Sequence, residues 1–200
     1  MITAAVALFQ ATDDGEYIGI AGTLAEQLDR WHGDTDRTGY FLSASDSSDV
    51  PIRIRGDVDE AIPSATGQII EALTRLATAT GDITLHEKAL AVAEHALGRA
   101  SLQTYGQVGV VNSCALTLEP LKLVIVEDPG QKSLVAAANR NPDPRRVDII
   151  VPLGGAAPSL PGDVVPPTDR PGAYLCMAQS CLPPVTDPHE LDILLRPKKS

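Results

Sequence analysis

The run Arg53-Ile54-Arg55-Gly56-Asp57-Val58-Asp59-Glu60 sets two guanidinium groups and three carboxylates just ahead of Pro63 and Ser64. Asp57 and Asp59 are two apart, which puts them on one face of a strand or loop. Paired carboxylates do general acid–base work when their surroundings separate their pKa values. A helix starting at Ser64 leaves free N–H groups that favour an anionic or polar ligand. On this reading Asp59 is the candidate acid or base and Arg53 the substrate clamp, with Asp57 and Ser64 also contacting substrate. The same residues equally suit an Arg/Asp network that fixes the loop, with Ser64 as the helix cap.

A second candidate is AYLCMAQSCLPPVTDP, residues 173–188, which holds Cys176 and Cys181. The CxxxxC spacing is not the CxxC of a helix-borne redox centre. Along one regular strand the two cysteines would sit on opposite faces, roughly 16 Å apart. A disulfide therefore requires the chain to turn back within Met177-Ala178-Gln179-Ser180. Three readings stand side by side: structural thiols, a redox-active pair, and half of a metal site completed by His189 and Cys114. No second CxxC or HxxxH supports the metal, so no metal ligand set is assigned. His32 ends a helix, where a cation offsets the dipole. His86 and His95 lie nine apart on a helix and do not stack as ligands.

These residues must be positioned by two halves of different pattern. Residues 1–118 read as paired helices: Ile2 to Ala11, then Glu16 to Trp31, whose Tyr17, Ile20, Leu24, Leu28 and Trp31 form one apolar stripe. Gly15 is the expected stop between them. The pattern repeats with Ser64 to Thr80, a break at Gly81, and Leu85 to Arg99, opened by a capping box of Thr84 and Glu87. Leu24, Ala25 and Leu28 precede Val92, Ala93 and Ala96 by 68 positions, a spacing that suggests stacked α-hairpins. Between the pairs, GYFLSASD reads as a short strand, and Thr104 to Leu118 as a closing helix.

From Glu119 the grammar changes. LKLVIVE and VDIIVP are apolar runs of strand length, and GQKSLVAAANR between them reads as the crossover helix of a parallel βαβ unit. AYLCM adds a third strand and DPHELDILL a final helix. No GxGxxG follows either strand, which argues against a nucleotide site. The expected fold is therefore mainly α, with stacked α-hairpins over 1–118 and a small α/β segment with a short parallel or mixed sheet over 119–200.

The 200 residues are 44% hydrophobic and 21% charged, with a net charge of −10. That balance describes a globular chain and argues against nucleic acid or anionic membrane as partner. The N-terminus has no basic n-region, the uncharged run 101–118 is too polar to span a bilayer, and three cysteines do not make a secreted scaffold. The expected location is cytoplasmic.

RGDVDEAIPSATGQIIEALTRLATATGD (55–82) and AYLCMAQSCLPPVTDPHEL (173–191) together resemble the closing part of the thioredoxin-domain-containing proteins of the spermatogenesis-associated type. The similarity runs in order over essentially the whole chain. Those proteins join a thioredoxin-like domain to an α/α toroid similar to the N-acylglucosamine epimerases and six-hairpin glycosidases. The resemblance implies the C-terminal part of such a protein, a partial (α/α)6 toroid over 1–118, and a sugar-like small molecule as ligand, with no cofactor. Its partner would be the thioredoxin-like and toroid half absent here, or another chain supplying it. Arg53, Asp59, Pro63 and Ser64 match the family pattern. Where the family reads Pro-Ser-Gly-Asn-Ser, this chain has Pro63-Ser64-Ala65-Thr66-Gly67, and the family's Cys-His-Trp-Cys segment has no counterpart. The rival expectations are a thiol–disulfide exchange partner using Cys176 and Cys181, and a non-enzymatic truncated remnant.

Overall fold

The computed structural model describes residues 1–100, 104–157, 165–177 and 180–196. The chain is mainly α with a small mixed sheet, and it divides into two compact units. The first comprises Met1–Phe9, Asp14–Ala77 and Asp82–Leu118; the second comprises Gln10–Asp13, Thr78–Gly81 and Glu119–Ser200.

The helical unit is built from α1 (Ile2–Thr12), α2 (Glu16–His32), α3 (Ala65–Thr80), α4 (Ile83–Ala100), a 3₁₀ turn (Thr104–Gly106) and α5 (Val108–Leu118), except that the last residues of α1 and of α3 count with the second unit. Its centre is α3, where Ile70, Leu73 and Leu76 are almost wholly buried and Ala72, Thr74 and Ala77 extend the buried surface beyond one stripe. The α4 face is built from small residues, Ala89, Val92, Ala93, Ala96 and Ala100. It meets an equally small-featured α5 face of Val110, Ser113, Cys114 and Thr117. Small side chains let two helix backbones approach closely, and Cys114 Sγ accordingly reaches Ala93 O at 3.6 Å. Thr117 Oγ1 joins Thr74 Oγ1 at 2.7 Å, tying α5 to α3.

Several expectations for this unit need correction. The chain leaves α1 through Asp13, whose φ is +57°, while Gly15 is right-handed and opens α2 instead of stopping α1. Helix α4 begins at Ile83, and its cap is Asp82, not a Thr84/Glu87 box. Asp82 Oδ1 accepts from Thr84 N at 2.9 Å, Leu85 N at 3.1 Å and Thr84 Oγ1 at 2.7 Å. An aspartate two positions upstream wins because its carboxylate also meets the positive end of the helix dipole. The segment GYFLSASD forms no strand, only an isolated bridge of Gly33 with Tyr40. The closing helix starts at Val108, after the 3₁₀ turn. In α2 the fully buried residues are Ala21 and Ala25, and Ile20, expected on the buried stripe, is exposed.

The second unit holds β1 (Leu121–Glu127), α6 (Ser133–Asn139), β2 (Arg146–Pro152), β3 (Gly172–Met177), β4 (Ser180–Cys181) and α7 (Pro188–Leu195). The strand order is β2-β1-β3-β4, with β1 and β2 parallel around the α6 crossover and the other pairs antiparallel. Leu121, Leu123 and Ile125 of β1, with Ala173 and Leu175 of β3, pack against Leu134, Ala137 and Ala138 of α6 and Leu191 of α7. Strand alternation sends Lys122, Val124 and Val126 to the opposite face, and these are buried too. Burial of both faces explains why β1 reads as a continuous apolar run.

Charged side chains close this unit. Glu127 ends β1 and turns its carboxylate onto the start of α6, accepting from Leu134 N at 2.8 Å, Val135 N at 3.1 Å and Ser133 Oγ at 2.7 Å. In a nucleotide-binding βα turn those amides would face phosphate; here the protein's own carboxylate occupies them. Asp192 of α7 accepts from Arg140 Nε (3.0 Å), Asn141 Nδ2 (3.0 Å) and Arg196 Nη2 (2.6 Å). Those hydrogen bonds, Arg196 foremost, hold its carboxyl down at about 2.

Candidate functional site

Loop 53–64 lies in the helical unit, and Arg53, Arg55, Asp57 and Asp59 all bond to other parts of the chain. Arg53 donates through Nε to Ser43 O (3.1 Å) and through Nη2 to Trp31 O and Ser43 O (both 3.0 Å). Its guanidinium lies 4.3 Å from the centre of the Phe41 ring, and that of Arg55 lies 5.4 Å from the same ring. Arg55 also pairs with Asp34 and donates to Thr38 O at 2.8 Å. One aromatic ring thus serves two cations, a contact that desolvation strengthens.

Asp57 is gripped side-on by Arg99 of α4, with Nε 2.8 Å from Oδ2 and Nη2 3.0 Å from Oδ1, while Thr66 Oγ1 donates to Oδ1 at 2.6 Å. Burial works against its ionisation, but the Arg99 and Thr66 hydrogen bonds outweigh burial and hold the carboxyl below its usual range. This two-point geometry is the strong form of an Arg–carboxylate pair. His95, one turn before Arg99, has its pKa lowered by burial and then by the Arg99 and Arg55 charges.

Asp59 faces backbone amides. Its Oδ2 accepts from Gly109 N at 2.7 Å and its Oδ1 from Ser64 N at 2.8 Å. Those two amides, Gly109 first, hold its carboxyl below the ordinary carboxylate range. Asp59 N in turn donates to Gly106 O at 2.7 Å. Ser64 Oγ accepts from Gly67 N at 3.1 Å, the N-cap bond of α3. At Gly67 a Cβ would come within 2.9 Å of Gly109 O, and at Gly109 a Cβ would collide with Asp59 Oδ1. The two glycines therefore let the start of α3, the start of α5 and the Asp59 carboxylate converge.

The loop brings Asp57, Asp59 and Ser64 around the first turn of α3, whereas Arg53 points the other way, to the end of α2 and Phe41. Arg99 and Gly109, which complete the arrangement, stand 42 and 50 positions away from the aspartates they contact. Nothing local in the sequence marks them.

In the second unit β3 and β4 pair antiparallel, and Cys176 is joined to Cys181 across them as a disulfide, Cα–Cα 3.9 Å. Ala178 and Gln179, within the stretch where a turn was required, lie outside the described residues. His189 N donates to the capping carboxylate of Asp187 at 2.9 Å. Cys114 is free and buried in the helical unit, and burial pushes its thiol up to about 11. Among the described residues, no group of three or more His, Cys, Asp or Glu side chains gathers as a metal site. No helix among them is long and apolar enough to cross a membrane.

No family model matches the chain. Among curated proteins it is similar to spermatogenesis-associated protein 20 of Homo sapiens, 26% identical over 200 residues, with 95% of this chain and 25% of the relative covered. The proteins of the same name from Rattus norvegicus and Mus musculus are each 27% identical over 198 residues, covering 94% of this chain and 25% of the relative. These matches support the resemblance read from the sequence. The chain spans about a quarter of the length of those relatives.

Proposed function

We propose that the chain is the C-terminal part of a longer protein of the spermatogenesis-associated type, and that its helical unit is one section of an α/α toroid completed by further helical hairpins. In this reading loop 53–64 is a brace that holds α2, α3, α4 and α5 in register, and the surface beside it is where neighbouring helices dock. Asp59, with both oxygens committed to amides and a lowered pKa, is a structural anchor; neither a resting proton donor nor a free base suits that position. Arg53 and Asp57 are likewise fully engaged within the chain. A sugar-like ligand taken at the toroid mouth would meet this brace as a rigid wall, and its acid–base chemistry would have to come from elsewhere.

One observation carries the proposal: the apolar side chains left uncovered in this unit. Ile52 is 75% exposed and Ile62 70%, and Leu42, Ile54 and Val58 of the same stretch are also exposed. Leu42 N donates to Ile54 O at 2.9 Å, so those two adjoin, and Val58 sits beside Gly106, whose neighbours Tyr105 and Val108 are exposed as well. Isolated surface leucines are unremarkable, whereas this many large apolar groups on one loop and the turn beside it mark a surface that another element covers. The test is a dye that fluoresces on apolar surface, added to the chain and to a variant carrying Ile52→Ser, Ile54→Ser and Ile62→Ser. The chain binds the dye, and the variant loses most of that binding with unchanged helicity. Equal signals would overturn the docking surface.

A further inference from the structure

We propose that Cys176–Cys181 is a reducible redox site, attacked at Cys181 by a dithiol reductant, with the ammonium of Lys122 stabilising the departing Cys176 thiolate. The proposal is independent of the docking surface and rests on one row of the sheet. Lys122 of β1 stands directly opposite Cys176 of β3, and Cys176 directly opposite Cys181 of β4. Residues opposed in an antiparallel pair share a face, with Cβ atoms about 4.5–5.5 Å apart. The three side chains therefore follow one another across the same face of the sheet.

Their burial differs along the row. Lys122 is 6% exposed and Cys176 2%, while Cys181, on the edge strand, is only partly buried. Cys181 Sγ is thus the sulfur a reductant can approach, and Cys176 Sγ is the leaving group. A thiolate in an apolar interior is costly, as the raised pKa of the buried Cys114 illustrates. Cys176 differs from Cys114 in having a lysine as its cross-strand neighbour. Lys122 Nζ is held in place by donating to Ala79 O at 3.3 Å, within the same unit. Its face of the sheet is otherwise lined by Val124, Val126, Val147, Ile149 and Val151, so the lysine brings a polar group into an apolar setting beside Cys176 in the row.

The step balances. One thiolate of the dithiol attacks Cys181 Sγ, the S–S bond breaks, and its electron pair leaves on Cys176 Sγ. The second thiolate of the reductant then closes its own disulfide and releases Cys181 as a thiolate. The two protons given up by the dithiol end on the two cysteines, so the protein gains two electrons and two protons while the dithiol is oxidised. Reduction removes the covalent link between β3 and the two-residue β4, leaving the β3 edge held by the backbone pairs of Ala173 with Val185 and of Leu182 N with Leu175 O.

The test measures the rate at which dithiothreitol reduces the oxidised chain, by thiol labelling, in the wild type and in Lys122→Met and Lys122→Arg. A leaving thiolate that has lost its cation departs more slowly, so Lys122→Met is at least about threefold slower and Lys122→Arg recovers most of the wild-type rate. Equal rates in all three chains would overturn the role of Lys122. Wild-type chain alone gives a second, fold-independent reading: a pulse of glutathione is quenched with N-ethylmaleimide and the peptides are mapped by mass. Glutathione on Cys181 with maleimide on Cys176 is expected. The reverse placement, or no mixed disulfide at all, would refute the site.

Discussion

At the scale of single residues, the candidate acid or base Asp59 also joins two helix starts through its carboxylate. Its two oxygens satisfy the amides of Ser64 and Gly109, two donors that the starts of α3 and α5 would otherwise leave open. Asp59→Asn keeps one acceptor and turns an N–H toward an N–H, so it costs the helical unit about 1–3 kcal/mol by chemical denaturation. The pH dependence has a definite sign. Asp57 and Asp59 have lowered folded pKa values, so their stabilisation is present above the unfolded value near 4 and is lost as pH falls through the folded values. Acid titration of stability should therefore be shallower below pH ~4 in Asp59→Asn than in the wild type. Gly109→Ala tests the same convergence from the backbone side. A Cβ there forces the Asp59 carboxylate off its amides, and we expect a loss of about 1–3 kcal/mol, seen as a lower melting temperature.

At the scale of elements, the helices and strands were legible wherever a period persisted. The stripe of α3, the continuous apolar run of β1 and the crossover between parallel strands all follow from side-chain spacing, and the structure contains each. What failed was punctuation and pairing. GYFLSASD has strand-like residues, but its backbone spends its hydrogen bonds on His32, Ile54 and Trp31 instead of on a ladder. At the start of α4 two cap-competent residues, Asp82 and Thr84, stand two apart, and it is the pair of amide bonds to the Asp82 carboxylate that decides between them. Asp82→Ala should cost about 0.5–2 kcal/mol, whereas Thr84→Val, which leaves both amide bonds to Asp82 intact, should cost well under half of that. The loop's charged residues were legible as a group, but Arg99, Gly109 and Phe41, which determine what those charges do, come from distant positions with no motif of their own.

At the scale of the whole molecule, the chain spans about a quarter of the length of the relatives it resembles, and its helical unit leaves several large apolar side chains exposed. The net charge of −10 keeps such a chain dispersed at low concentration without removing the drive to bury those groups. Sedimentation velocity of the 200-residue chain over a wide concentration range tests the docking surface most directly. The weight-average mass should rise above the monomer value of 21.1 kDa as concentration increases, and a variant with Ile52, Ile54 and Ile62 replaced by serine should stay at it. A chain that sediments as a monomer at every concentration, with or without those isoleucines, would contradict the docking surface.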